Sequence, residues 1–545
     1  MKNRPRPTRL RALAAAVALA ATPLALVPAP AVAAEDEAHQ VKGVFHQDEP
    51  GEVVYEAVTP EDWNGTLVLD LDFNRWTGEK REWFLSHGYG IGGIQRTQNQ
   101  TAYEIKKYVD DLVATRGELM EAGTEEPART IAVGASRGGF VARMSVEHRP
   151  DVFDGALAFA GGGAGVLGSW LSKADAVWAL KTLVDPAAPL AINNLPDIPA
   201  GASYGPDYQQ DVALAALVEK ARGDDAGTAR LMLASALEQA TAWPSGAEAP
   251  GANDFEDQAQ RIADSFAWAN PQFVHKEIED MAGGPVVWNH GVDYAALLED
   301  SGAIERVRYW YDKAGLDVED DLARLAGAPR YSADAAAIGT LDEKGTFTGD
   351  TGQRPVLSIK TIGDGADAVP LDAAYVQTFA AAGSSAQLRT AFIGRAGHST
   401  QTFREYLAAF ATLESRIGTG VWPATSAAAL NERAATVEGV GVGPAPANFI
   451  EHSDAAPLRT WDFTNRHSYL SLYADDLAAG RAPDLANGLR NAAKHLNAGR
   501  LKQACGALGS VAEKVPGNRA LSPAQERELG GQIDAFGGSV GCPLS

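Results

Sequence analysis

Thr130-Ile131-Ala132-Val133-Gly134-Ala135-Ser136-Arg137-Gly138-Gly139 is the stretch that decides how this chain folds. A short apolar run ends at Gly134, and residues 136–147 follow with helical spacing. The centre of the stretch matches G-x-S-x-G in the context that pattern needs, a strand before and a helix after. The requirement is geometric. A residue at a sharp strand-to-helix turn is held in a strained backbone conformation. Small residues two before and two after it let neighbouring chain pass closely. The serine oxygen then stands clear of the sheet, and the helix N-terminus favours developing negative charge. Ser136 is therefore the candidate nucleophile, and a merely structural turn is the competing reading.

Outward from this turn, strands alternate with helices. Val53-Val54-Tyr55, Gly65-Thr66-Leu67-Val68-Leu69 and Tyr89-Gly90-Ile91-Gly92-Gly93-Ile94 precede it as expected strands, with a helix over residues 103–121. Gly155-Ala156-Leu157-Ala158-Phe159 follows as another strand, ahead of Gly161-Gly162-Gly163. That alternation predicts a mostly parallel sheet covered on both faces. It stops near residue 165 and resumes near 353. The block between is Ala-rich, helical in pattern, and holds Trp170, Trp178, Trp243, Trp268, Trp288 and Trp310. Residues 165–352 are expected to form a helical cap over the sheet. Each tryptophan is expected in the cap's core before it is expected in a substrate cleft. Residues 354–361 then give a buried strand, 372–382 a helix, 388–392 a strand, and 402–417 a helix stopped by Gly418. Residues 423–479 are expected to link this unit to a helical module over 480–545, the Gly/Pro-rich stretch 439–446 being the clearest signal.

A serine nucleophile needs a base, and the base needs an orienting acid. Of ten histidines, His398 follows a strand late in the alternation, in Arg395-Ala396-Gly397-His398-Ser399. Gly397 would let that loop carry the imidazole back over Ser136. His87 lies at the wrong end of a strand, His148 closes the helix after the turn, and His452, His467 and His495 lie beyond the sheet. The acid is expected after Pro355-Val356-Leu357-Ser358-Ile359-Lys360-Thr361. Asp364 is nearest the strand end and is favoured, with Asp367 as the alternative. Asp372 is expected to cap the next helix.

Residues 134–139, Thr361-Ile362-Gly363-Asp364 and Arg395-Ala396-Gly397-His398 together resemble the catalytic domain of secreted α/β-hydrolases, in the broad esterase and prolyl-peptidase-like group. The chain order Ser136, Asp364, His398 is the order of that superfamily. The resemblance covers residues 35–164 and 353–422. It implies acyl transfer through an acyl-enzyme, with no cofactor and no metal. It also implies an oxyanion hole, with one donor from the Arg137 N–H. The family often has a His-Gly pair after the third strand, where this chain has Asp72-Phe73, so Phe73 or Asn74 is the expected second donor. Asp70 and Asp72, two apart, would point the same way near the site. They would bind a cationic group or merely cap the loop, and capping is the simpler reading.

Composition bounds the function. The chain has 545 residues, with 70 acidic against 47 basic, a formal charge of −23 and a pI near 4.9. A nucleic acid or an anionic membrane would be repelled. Residues 1–34 have the layout of a secretory signal. Lys2, Arg4, Arg6, Arg9 and Arg11 precede a mostly apolar run, and Ala31-Val32-Ala33 is a cleavage site. The run is broken by Pro23, Pro28 and Pro30, which argues against a membrane anchor. An exported chain lets its two cysteines oxidise. Both lie in the C-terminal module, so a Cys505–Cys542 bridge is expected. The module resembles small helical accessory units of secreted bacterial proteins, which implies attachment to an extracellular ligand; a purely structural appendage is the alternative. The leading function is a secreted serine hydrolase acting on small-molecule or polymeric carboxylic esters. An exopeptidase using the same triad and a non-catalytic binding protein on a hydrolase fold are the alternatives.

Overall fold

The computed structural model describes residues 37–49, 51–96, 103–202, 205–453, 455–459, 469–477 and 481–542. The expected signal segment lies outside them. Nine strands form one sheet: β1 (Glu37–Phe45), β2 (Val53–Pro60), β3 (Thr66–Asp70), β4 (Gly90–Ile94), β5 (Arg129–Ala135), β6 (Gly155–Phe159), β7 (Val356–Gly363), β8 (Leu388–Ala396) and β9 (Phe449–Ile450). Their order is β1-β2-β4-β3-β5-β6-β7-β8-β9. The pairs from β4 through β3, β5, β6 and β7 to β8 are parallel. The pairs β1–β2, β2–β4 and β8–β9 are antiparallel. Every residue of β3, β4 and β6 is buried, as expected of strands covered on both faces. The turn after β5 carries Ser136, the loop after β7 carries Asp364, and the loop after β8 carries His398. This is the α/β-hydrolase fold.

Between β6 and β7 the described residues contain nine helices, from Gly165–Val184 to Ala335–Gly345. They have a core of their own around Trp178, Leu214, Leu231, Met232, Trp310 and Tyr311. The start of the first helix is different: Val166, Leu167 and Trp170 join the main core, which fastens the insertion to the sheet's helical layer. Trp170, Trp178, Trp288 and Trp310 are buried, as a core role requires, whereas Trp268 is 47% exposed.

Several parts differ from the sequence expectations. Residues 423–450 do not run free as a linker. Ala427–Ala435 is a helix capped by Ser426, and β9 adds a two-residue edge to β8. Arg404 holds the following turn by donating to the carbonyls of Ala434 and Val437. The helix at 403–419 starts as expected at Thr402, with a reciprocal capping box to Glu405, but it ends at Gly420 in the left-handed conformation; Gly418 stays helical. Pro370 rather than Asp372 is the N-cap of the helix Leu371–Ala381, and Asp372 turns inward to accept from Arg143 and Ser358. β1 had no clear signal, since an edge strand can alternate in polarity without a strongly apolar run.

The C-terminal helices Pro483–Asn497, Leu501–Ala512 and Pro523–Ser539 are not a separate appendage. Leu529, Ile533 and Phe536 share one core with Ala335 and Ile338 of the insertion. Gln532 spans the contact, accepting from the Ala335 N–H at 2.8 Å and donating to the Ala333 carbonyl at 3.0 Å. A disulfide joins Cys505 to Cys542, with Cα atoms 5.1 Å apart.

Candidate active site

Ser136 has φ 58° and ψ −125°, a conformation rarely adopted by a non-glycine residue. Such strain costs about 1–3 kcal/mol and persists only where the surroundings enforce it. Here they do. The Ser136 N–H donates to the Phe159 carbonyl of β6 at 2.9 Å, and its carbonyl accepts from the Gly139 N–H at 2.8 Å. The turn also demands its glycines. A Cβ on Gly134 would lie 2.1 Å from the Gly138 carbonyl oxygen, and one on Gly139 would lie 2.8 Å from both Gly161 Cα and the Phe159 oxygen.

His398 sits at the end of the β8 loop, just after Gly397, which has φ 91°. Its Nδ1 lies 2.9 Å from each carboxylate oxygen of Asp364. The Asp364 carboxylate is buried and also accepts from the Ala366 and Asp367 N–H groups, at 2.9 and 3.1 Å. Burial pushes its carboxyl up. The neighbouring imidazole and the Lys360 ammonium 3.7 Å away more than offset that, holding it below the ordinary range. An acid bonded at Nδ1 leaves Nε2 as the nitrogen free for a proton on the other side of the ring. Asp367, the alternative acid, points elsewhere: its carboxylate is paired with Lys360, which also stands 3.6 Å from Asp372.

Ser136, Arg137 and His398 open on one cavity of about 560 Å³. Its floor comes from the sheet ends and its roof from the insertion, through Trp170, Lys173, Trp268, Phe273 and Glu277. The Trp268 ring centre is 6.2 Å from that of His398. Arg137, the expected oxyanion donor, begins the helix after the turn. Its guanidinium is held by Glu277 of the insertion at 2.8 Å and lies over the Tyr103 ring.

Phe73 and Asn74, the other expected donors, open a three-residue 3₁₀ turn after β3. Phe73 is buried in the core against Trp76, and Asn74 faces a second depression with Glu52, Val53 and Gln95; neither lines the cavity. Asp70 and Asp72 do line it, and both are bonded to the protein. Asp70 accepts from Trp76 Nε1 at 2.7 Å and from the Asp72 N–H at 3.0 Å, and Asp72 is paired with Arg96. The capping reading fits this arrangement. Lys80, Arg96, Tyr103 and Glu277 also line the cavity without having been singled out from sequence. They come from separated stretches with no common spacing, so no local pattern marks them.

With this geometry in hand, the chain can be set beside known proteins. No protein-family model matches it. An o-phthalyl amidase from Xanthobacter agilis is 28% identical over 412 residues, which span 70% of this chain and 89% of that protein. Among solved structures, tannin acyl hydrolase from Aspergillus niger is 11% identical, covering 76% of this chain and 85% of its own, with a TM-score of 0.36. An esterase from Aspergillus oryzae is 14% identical, covering 70% and 80%, with a TM-score of 0.35. No helix among the described residues is long and apolar enough to cross a membrane.

Proposed function

We propose that this chain is a secreted serine hydrolase that cleaves small carboxylic esters or amides through an acyl-enzyme. Ser136 Oγ attacks the acyl carbon while His398 Nε2 takes its proton. Asp364 holds the imidazole in the required tautomer and stabilises the imidazolium that forms. The Arg137 N–H, at a helix N-terminus, stabilises the oxyanion; Phe73 and Asn74, which do not line the cavity, supply no second donor in this reading. The imidazolium gives its proton to the leaving alcohol or amine. Water, deprotonated by the same imidazole, then attacks the acyl-enzyme and releases the acid.

One observation carries this reading: a serine held at positive φ shares a single cavity with a histidine whose far nitrogen is bonded to a buried carboxylate. The relative named an amidase is the reason amides stand beside esters. The exopeptidase alternative needs a carboxylate to receive a substrate amino group. Asp70 and Asp72 are each already bonded within the protein, which disfavours it. In this reading residues 1–34 direct export, residues 165–352 cap the site, and the C-terminal helices buttress that cap. The test is a fluorophosphonate probe followed by a panel of p-nitrophenyl esters and p-nitroanilides. Covalent labelling at Ser136 with turnover of either substrate series is expected. An unlabelled protein that hydrolyses neither series would leave only the binding-protein alternative.

A further inference from the structure

We propose that Lys80 is a specificity residue of this cavity: its ammonium binds a carboxylate carried by the acyl part of the substrate, beside the carbonyl that Ser136 attacks. For turnover this rests on the hydrolase reading above; for binding it does not.

The argument begins with charge. Five cations line the cavity: Arg75, Lys80, Arg96, Arg137 and Lys173. Arg96 is paired with Asp72, Arg137 with Glu277, and Lys173 donates to the Ala269 carbonyl. Arg75 stands 3.8 Å from Asp72 with its side chain 62% exposed, so water screens it. Lys80 differs from all four. Its Nζ lies 3.6 Å from the centre of the Trp76 ring and 4.0 Å from that of Tyr406, and among the described residues no oxygen accepts a hydrogen bond from it. Two ring faces attract an ammonium but satisfy none of its three N–H donors as an oxygen would. The nearest acid, Asp70, attracts the ammonium by charge and partly offsets its burial, but its oxygens accept from Trp76 Nε1 and the Asp72 N–H and no hydrogen bond joins it to Lys80. Burial holds Lys80 down to about 8, so it is largely cationic at neutral pH.

Position supplies the second half. Tyr406 stacks on Phe159 with ring centres 5.2 Å apart, and the Phe159 carbonyl is the one that holds the Ser136 N–H. Lys80 is thus one aromatic layer from the backbone that fixes the nucleophile, and both side chains open on the same cavity. An anion bound there shares the cavity with the carbonyl that Ser136 attacks, and the proposal assigns it to the acyl group rather than the leaving group. Its complement is a compact acid with a second carboxylate close to the scissile carbonyl, its apolar body against Trp76.

The probes are the p-nitroanilides of phthalic acid and of benzoic acid, which differ by that one carboxylate, together with phthalate and benzoate as ligands in calorimetry. For Lys80→Met, the ratio of kcat/KM for the phthalyl over the benzoyl substrate is expected to fall about 10- to 100-fold, as does phthalate affinity relative to benzoate, the range for one charge-assisted bond. Lys80→Arg keeps the charge and should restore most of the ratio. An unchanged ratio in Lys80→Met, or wild-type protein that binds phthalate no better than benzoate, overturns the proposal. Circular dichroism checks folding, and Lys80→Gln replaces the methionine variant if that fails to fold. If the wild-type protein hydrolyses neither anilide, the hydrolase reading falls only if the fluorophosphonate probe and the p-nitrophenyl esters fail as well; phthalate titration of wild type against Lys80→Met decides the role of Lys80 in either case.

Discussion

The floor and the roof of the cavity are built in different ways. The floor is main chain. Gly134 packs against the Gly138 carbonyl, and Gly139 against Gly161 and the Phe159 carbonyl, so closely that a single added carbon on either would collide, whereas one on Gly138 would fit. The roof is side chains. Trp170, Lys173, Trp268 and Glu277 reach down from helices of the insertion: the helix of Trp268 packs in the insertion's own core, Trp170 and the neighbours of Glu277 join the main core, and Trp268 stays half exposed. Chemistry that must be placed to a fraction of an ångström is fixed by backbone, while recognition is delegated to side chains that can be exchanged without unfolding the sheet.

The largest effects should come from the floor. Ser136→Ala removes the nucleophile and should cost about 10⁴-fold or more in kcat while leaving the circular dichroism spectrum intact. Retention of more than about a tenth of wild-type turnover would show that the chemistry lies elsewhere. Gly134→Ala tests the backbone itself. With its Cβ 2.1 Å from the Gly138 oxygen, the turn must move. Ser136 should then lose most of its reactivity toward fluorophosphonate even where the protein still folds; full labelling would mean the turn is less constrained than its packing indicates.

Next in size is the contrast between two carboxylates three residues apart. Asp364 touches the imidazole, whereas Asp367 is neutralised by Lys360. Asp364→Asn should lower kcat by about 10³- to 10⁴-fold through loss of the productive tautomer, the scale seen when a triad acid is replaced by its amide. Asp367→Asn should act mainly on stability, because it leaves the Lys360 charge facing one fewer carboxylate. Comparable losses of kcat in the two variants would break the distinction. Such an outcome would mean that Lys360 and its acids work as a single unit.

The same contrast explains what was legible in the sequence. The turn at Ser136, the strand before it, and the loops carrying Asp364 and His398 were readable because each is a contiguous local pattern. Glycines stand where chain meets chain, and a polar residue follows an apolar run. Lys80 and Glu277 were not readable. Glu277 meets Arg137 across 140 residues, and nothing in the spacing of either helix announces the other. The Gly-rich stretch near 439–446 misled for a related reason: composition there suggested a linker, but Asn448 donates its backbone N–H to Glu405 of the helix Phe403–Thr419, and its carbonyl accepts from the Gly394 N–H of β8, which pins the chain to the sheet edge. Long-range hydrogen bonds of that kind leave no local trace.

A smaller effect is expected at the roof. Trp268→Ala removes a half-exposed ring whose centre is 6.2 Å from that of His398. Its loss should raise KM several-fold, by about 1–2 kcal/mol of apolar contact with substrate, and barely change kcat or the melting temperature. A fall in kcat with KM unchanged would instead place Trp268 in the ordering of the imidazole, and the roof would then share in the chemistry of the floor.

The smallest effect on turnover should come from the region farthest from the floor in mechanism, the disulfide between Cys505 and Cys542. Closing a loop of about 38 residues removes unfolded-state entropy worth roughly 4 kcal/mol on the chain-entropy account, which is an upper figure. The helices it ties pack through Leu529, Ile533 and Gln532 on the insertion that roofs the cavity, not on the sheet that carries Ser136, Asp364 and His398. Mild reduction should therefore lower the temperature at which the C-terminal helices unfold and raise their hydrogen exchange, while hydrolysis at 25 °C stays near that of the oxidised protein. No thiol takes part in the proposed chemistry, so any loss of activity has to travel through the roof. The size of that loss would measure how firmly the roof must be braced. A fall in kcat/KM confined to KM would mean the bridge stabilises substrate contacts such as those of Trp268. A fall in kcat would mean that the division between a backbone-fixed floor and an exchangeable roof does not hold.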